Sequence, residues 1–129
     1  MANTDFLKVA RADGRYHQEG YQFVGQSLSH AVKLHRREAA QGMSRHLTAA
    51  ELIEGAVDLA SSRYGILGEL VLESWGIRSP EDIGAITFAL IEHGVFTKRP
   101  DDRIEDFSGH RPLSDAIRSA VRRRMGISN

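Results

Sequence analysis

The sequence predicts a mainly α-helical, compact single-domain fold over residues 1–129, with a winged-helix-like centre that includes a short β-hairpin. Apolar residues recur three and four positions apart along most of the chain, which is the spacing of amphipathic helices. A glycine followed by a serine–proline pair interrupts this pattern within residues 75–83, as expected where one helix stops and the next begins. A chain of 129 residues can bury one core without disulfides, and this one has no cysteine.

Two N-terminal helices are predicted within residues 4–40. Asn3 or Thr4 can cap the first helix, and Asp13-Gly14 ends it. The second helix runs from His17 to Ala40 and is followed by a break at residues 41–44. Its inward face is predicted to carry Tyr21, Val24, Leu28, Ala31, Val32 and His35.

A helix-turn-helix-like centre is predicted at residues 48–107. Thr48 and Glu51 have the spacing of a capping box, so a third helix begins there and continues to Tyr64-Gly65. A fourth helix covers residues 66–75, and Ser79 caps a fifth helix that has Pro80 in its first turn.

Gly94 is predicted to end the fifth helix. Residues 95–98 and 103–107 then have the composition of two short strands that pair as a hairpin. A last amphipathic helix at residues 113–125 places Leu113, Ile117, Val121 and Met125 on one side.

Several short motifs resemble the pattern of an uncharacterised bacterial family of proteins of about 130 residues. The resemblance covers residues 15–107 and implies no known activity and no site residues. The segments that carry it are Arg15-Tyr16-His17, Tyr21, Phe23-Val24, His46-Leu47-Thr48, Glu51-Leu52, Glu54-Gly55, Trp75-Gly76-Ile77, Glu81-Asp82-Ile83-Gly84, Glu92-His93-Gly94, Asp102-Arg103 and Asp106-Phe107.

Charge is balanced overall but uneven along the chain. Seventeen basic and seventeen acidic residues cancel. Residues 51–106 carry twelve acidic and five basic side chains, a net charge of −7, whereas residues 1–50 and 107–129 have net charges of +3 and +4. Basic flanks either attract the acidic centre within the fold or meet an acidic partner such as RNA.

Catalytic, metal and nucleotide motifs do not emerge from the sequence. His30 and His35 are five residues apart, so on one helix they point in different directions and cannot share a metal. The glycines of residues 65–68 lack the lysine of a P-loop, and no nucleophile elbow is present. We therefore expect no catalysis and no cofactor. The N-terminus has no signal-peptide pattern and no apolar run is long enough to span a bilayer, which favours a cytoplasmic protein without a membrane partner.

The outward face of the fifth helix is one candidate binding surface. Glu81, Ala85, Ala89 and Glu92 lie opposite its core-facing residues, so a protein partner could approach closely between the carboxylates. The same residues repel phosphate and offer almost no group that reads bases, so we expect no specific DNA recognition. An ordinary solvated helix surface explains the same pattern.

The C-terminal arginines are the other candidate surface. Arg118, Arg122, Arg123 and Arg124 could contact RNA or the ribosome, although at about 100° per residue they fan around their helix. Three of them also lie near a helix C-terminus, where positive charge is favourable without a ligand. The sequence thus favours a non-catalytic cytoplasmic protein-interaction module, with an RNA- or ribosome-associated factor as the alternative.

Overall fold

The computed structural model describes residues 2–35 and 47–127. All regular elements in these residues are helical, which confirms the mainly α prediction. The α-helices are α1 (Ala2–Asp13), α2 (Gln18–Leu34), α3 (Ala49–Tyr64), α4 (Gly68–Ser74), α5 (Pro80–Glu92) and α6 (Leu113–Arg124), and 3-10 turns occupy Gly65–Leu67 and Ile104–Phe107. Residues 36–46, which hold the predicted end of the second helix and the predicted break at 41–44, lie outside the described residues.

The predicted helix starts are confirmed where a side chain caps the backbone. The Thr48 hydroxyl accepts from the Glu51 amide, and the Glu51 carboxylate accepts from the Thr48 amide, both at 3.0 Å. Ser79 and Asp82 form the same reciprocal pair at the start of α5, with Pro80 as its first residue. These bonds satisfy amide groups that have no partner within the helix.

One cluster of buried side chains draws on all six helices. α2 supplies Tyr21 and Val24, both fully buried, and α5 supplies Ile83, Ile86 and Leu90, also fully buried. α5 lies inside this cluster because α1, α2, α3 and the second 3-10 turn all contact it. The helix that the sequence places in a helix-turn-helix centre is therefore the central helix of the fold.

Two helix-interior glycines allow close packing in the core. A Cβ atom on Gly55 of α3 would lie 2.5 Å from the Cβ of Ala31. The two helices α2 and α3 therefore cross closely at a point where a glycine faces an alanine. A Cβ atom on Gly84 of α5 would lie 2.7 Å from Cγ of Phe107. Non-bonded carbon atoms do not approach this closely, so larger residues at these positions would push the elements apart.

The loop between α1 and α2 packs against the α4–α5 turn, and we call this contact the seam. It is made by Tyr16, His17, Trp75, Gly76 and Asp82. The Tyr16 hydroxyl donates to Asp82 Oδ1 at 2.7 Å, and the His17 amide donates to the Trp75 carbonyl at 3.1 Å. Gly76 has a φ of +92°, which confirms the predicted glycine stop, and a side chain there would meet the Tyr16 ring.

The predicted β-hairpin is wrong, and the winged-helix-like centre is not found in the described residues. Residues 95–103 have irregular backbone, and Ile104–Phe107 form a 3-10 turn rather than a strand. Phe107 is 5% exposed and packs on Gly84 of α5. This tertiary contact outweighs the weak strand preference of a short segment.

Candidate binding pocket

A cavity of about 310 Å³ lies between α2, α3, α5 and the chain segment that follows α5. This volume is near the lower end of the range of small-ligand pockets, roughly 300 to 1,000 Å³. A cavity of about 150 Å³ already accepts benzene, so the pocket has room for a ring and a short chain. Its lining residues are Leu28, Val32, Leu47, Thr48, Ala49, Leu52, Thr87, Phe88, Ile91, Phe96, Thr97, Asp102, Arg103, Asp106 and Phe107.

The walls of the pocket are mostly aliphatic and aromatic. Leu52 of α3 and Phe107 of the second 3-10 turn are almost fully buried. The Phe88 and Phe107 rings meet edge to face, with centroids 6.4 Å apart and planes at 90°. Because Phe107 packs on Gly84, the shape of this wall depends on the glycine in α5.

Two of the polar groups at the pocket already have partners in their own helices. The Thr48 hydroxyl caps α3, and the Thr87 hydroxyl donates to the Ile83 carbonyl at 2.7 Å. Both hydroxyls are therefore already hydrogen-bonded, and neither needs a ligand as a partner.

Charged groups gather at one edge of the pocket, and we call Asp102, Arg103 and Asp106 the rim. Asp102 accepts from the Arg99 amide at 2.7 Å, and Asp106 accepts from the Arg103 amide at 3.1 Å. Each carboxylate thereby caps a local turn. Apolar walls with a few convergent polar groups are typical of binding sites.

The predicted protein-binding face of α5 is wrong at its centre. Ala85 is 9% exposed and Ala89 is 2% exposed, so the chain's own elements cover both residues. Glu81 and Glu92 are exposed, but they lie at opposite ends of the helix. Helical periodicity shows which residues share a face, but not how many neighbouring elements surround the helix.

The four predicted RNA-contacting arginines have different surroundings. Arg118 pairs with Glu69 at 3.2 Å, and Arg124 pairs with Asp58 at 2.9 Å and also donates to the Ser61 hydroxyl at 2.9 Å. Arg122 and Arg123 are exposed and have no side-chain partner among the described residues. Two of the four charges are thus neutralised within the fold.

Asp58 joins three helices through His30 of α2 and Arg124 of α6. His30 Nε2 and Asp58 Oδ2 lie 2.6 Å apart. Partial burial raises the pKa of Asp58, but the hydrogen bond to His30 and the charge of Arg124 outweigh it, so the pKa lies below its usual value. Ser61 donates to the Asp58 carbonyl rather than to His30, so the cluster lacks the nucleophile–base contact of a catalytic triad.

A second apolar surface lies on the first 3-10 turn and α4. Ile66, Leu67 and Leu70 are 77%, 56% and 62% exposed. Leu67 and Leu70 both lie within the predicted fourth helix, and both face outward. These three side chains are open to solvent, whereas Leu52 and Phe107 in the pocket wall are almost fully buried.

Other site types are not found in the described part of the chain. No group of three or more His, Cys, Asp or Glu side chains in residues 2–35 and 47–127 is placed to hold a metal ion. No helix among these residues is both long and apolar enough to cross a membrane. Comparison of the chain with protein-family models, curated proteins and solved structures finds no match.

The sequence did not reveal the pocket, because its walls come from four separate segments. Two local signals were nevertheless present. Arg99-x-x-Asp102 and Arg103-x-x-Asp106 repeat a spacing in which an aspartate accepts from the amide three residues earlier. That spacing is typical of turns, so it favours the observed irregular backbone over a hairpin.

Proposed function

We propose that the chain is a non-catalytic binding module and that the pocket takes an apolar anchor from a protein partner. The observation that carries this proposal is the open apolar cavity of about 310 Å³ with charged groups at one edge. Binding energy at protein interfaces concentrates in a few apolar side chains that fill such pockets. The back of α5 no longer supports the proposal, because Ala85 and Ala89 are buried.

The test fills the pocket while leaving the rest of the surface unchanged. Ala49 lines the pocket, whereas its neighbour Ala50 is exposed and does not. Affinity purification with tagged wild type, Ala49→Trp and Ala50→Trp should recover a partner with the wild type and Ala50→Trp only. Equal recovery with both variants would contradict the proposal.

RNA or ribosome association through the C-terminal arginines is the second candidate function. Arg122 and Arg123 favour it, because both are exposed and unpaired among the described residues. The internal pairs of Arg118 and Arg124 weaken it. Nuclease treatment during the purification separates the two candidates, since only RNA-mediated capture would be lost.

Specific DNA recognition by α5 has no support from the packing. A recognition helix needs one face free to enter a groove. α1, α2, α3 and the second 3-10 turn contact α5, and its small residues Ala85 and Ala89 are covered. We therefore expect no sequence-specific DNA complex, and a binding assay with duplex DNA should show none.

A further inference from the structure

The rim carboxylates are held in place but carry no counter-charge. Asp102 and Asp106 each use Oδ2 to accept from a backbone amide, at 2.7 and 3.1 Å. Among the described residues, neither carboxylate has a cationic side chain within ion-pair distance. A carboxylate whose position is already fixed loses little conformational freedom when a cation binds to it.

Two basic side chains, Lys98 and Arg99, precede the rim. The Lys98 ammonium donates to the carbonyls of Arg99 and Asp102, at 3.2 and 3.3 Å. The Arg99 guanidinium lies 3.9 Å from Asp101, which is on the exposed side of the loop. Neither basic side chain therefore forms an ion pair with a rim carboxylate.

The segment that contains the rim has a net negative charge. Residues 101–106 contain four carboxylates and one basic side chain, Arg103, which gives a net charge of −3. Arg103 itself lines the pocket and has no side-chain partner among the described residues. Lys98 and Arg99 precede this segment and reduce the net charge of residues 98–106 to −1, but the pocket itself is lined by two carboxylates and one arginine, which favours a positive group at this edge.

We propose that the pocket selects an anchor that combines an apolar body with a cation, such as a partner segment in which an apolar side chain neighbours Lys or Arg. This inference rests on the proposed function and specifies the chemistry of the partner. The apolar body fills the space between Leu52, Phe88 and Phe107, and the cation meets Asp102 and Asp106. Charge complementarity of this kind sets specificity and association rate more than total affinity.

A matched pair of small probes tests the selection. Phenethylammonium and 3-phenylpropionate have similar apolar bodies and opposite charges, and amide chemical shifts of Thr48, Phe88 and Phe107 report where they bind. We expect the cation to bind about three- to fivefold more tightly, as for an exposed ion pair, and this preference to shrink as salt is added.

Two double variants locate the source of the preference. Asp102→Asn with Asp106→Asn keeps a carbonyl oxygen that can accept from the backbone amides, so the turns should persist while the preference is lost. Asp101→Asn with Glu105→Gln removes the same charge from residues that do not line the pocket, and should keep most of the preference. An unchanged amide spectrum away from the rim checks that both variants fold.

Three outcomes would overturn this inference, and only the last would also overturn the proposed function. If both probes bind equally, or the anion binds more tightly, the inference about the cation is wrong while the pocket remains a binding site. If the control double variant loses the preference as fully as the rim variant, the cation does not recognise Asp102 and Asp106. If neither probe shifts the pocket amides, the inference and the proposed function both fail.

Discussion

The seam and the pocket both join segments that are distant in sequence, but they use their polar atoms differently. In the seam, the Asp82 carboxylate accepts from the Tyr16 hydroxyl, the Arg78 and Ser79 amides and the Ser79 hydroxyl. In the pocket, the Asp102 and Asp106 carboxylates each accept from one backbone amide. The Asp82 carboxylate of the seam is thus fully hydrogen-bonded within the chain. The rim carboxylates and the apolar walls of the pocket are available to another molecule.

This difference separates residues that hold the fold together from residues that are placed for binding. Four of the five seam residues are half-buried and the seam contains several hydrogen bonds, so loss of these residues should lower the free energy of unfolding. Substitutions at the pocket rim should leave that free energy nearly unchanged and alter binding instead.

Asp82→Ala should destabilise the protein by about 2 to 4 kcal/mol, because it removes an N-cap partner and leaves the Tyr16 hydroxyl and two amides without their acceptor. Glu81→Ala is the matched control, since Glu81 is an exposed acid in the same helical turn. Urea unfolding measures both. If the free energy of unfolding falls equally in the two variants, the seam contributes no more to stability than an exposed acid in the first turn of a helix.

Gly84→Ala should cost about 1 to 3 kcal/mol, because its Cβ would lie 2.7 Å from Cγ of Phe107 and force the ring to move. The displaced ring should also weaken binding of the phenethylammonium probe. Trp75, the only tryptophan, lies in the seam and should keep its fluorescence spectrum. A spectrum that changes as much as the probe affinity would show that pocket and seam are not separate.

Acid should weaken the structure next to the seam through Asp13. Burial raises the pKa of Asp13, but hydrogen bonds from Arg15 and Tyr21 outweigh it, so the pKa lies below the usual 3.8. Because the folded-state pKa is the lower one, this stabilisation is complete above about pH 4 and is lost as the pH falls through the folded-state value. Asp13→Asn should therefore lower the free energy of unfolding at pH 7 and reduce its decline as the pH falls below about 4, which urea unfolding at several pH values measures.

The rim double variant Asp102→Asn with Asp106→Asn should change stability least, by less than about 0.5 kcal/mol, because both side chains keep an acceptor for the turn amides. Urea unfolding of this variant and of the Asp101→Asn with Glu105→Gln control checks the expectation. A loss comparable to that of Asp82→Ala would place the rim among the residues that hold the fold.

Local rules predicted most helix boundaries, because caps and glycine stops act within one turn. Thr48 and Ser79 cap the starts of their helices and Gly76 ends one, as the residues next to them in sequence indicate. Gly94 also ends its helix with a left-handed φ of +78°. Such contacts require no knowledge of the tertiary fold.

Long-range packing decided the features that the sequence did not predict. Ala85 and Ala89 read as an outward face because periodicity cannot count the elements that surround a helix. Residues 103–107 are predicted as a strand from their local composition. The packing of Phe107 on Gly84 joins positions that are far apart in the chain, so the local sequence does not show it. The pocket depends on the same contact, so its prediction from sequence would have required the fold first.

Titration of wild type, Ala49→Trp and Ala50→Trp with phenethylammonium, followed by amide chemical shifts, is the direct test of the claim that the pocket binds an apolar anchor. If the pocket is the binding site, the wild type and Ala50→Trp show saturable shifts at Thr48, Phe88 and Phe107, and Ala49→Trp shows none because the indole fills the cavity. Saturable shifts of equal size in Ala49→Trp would contradict the claim, as would shifts centred on Ile66, Leu67 and Leu70.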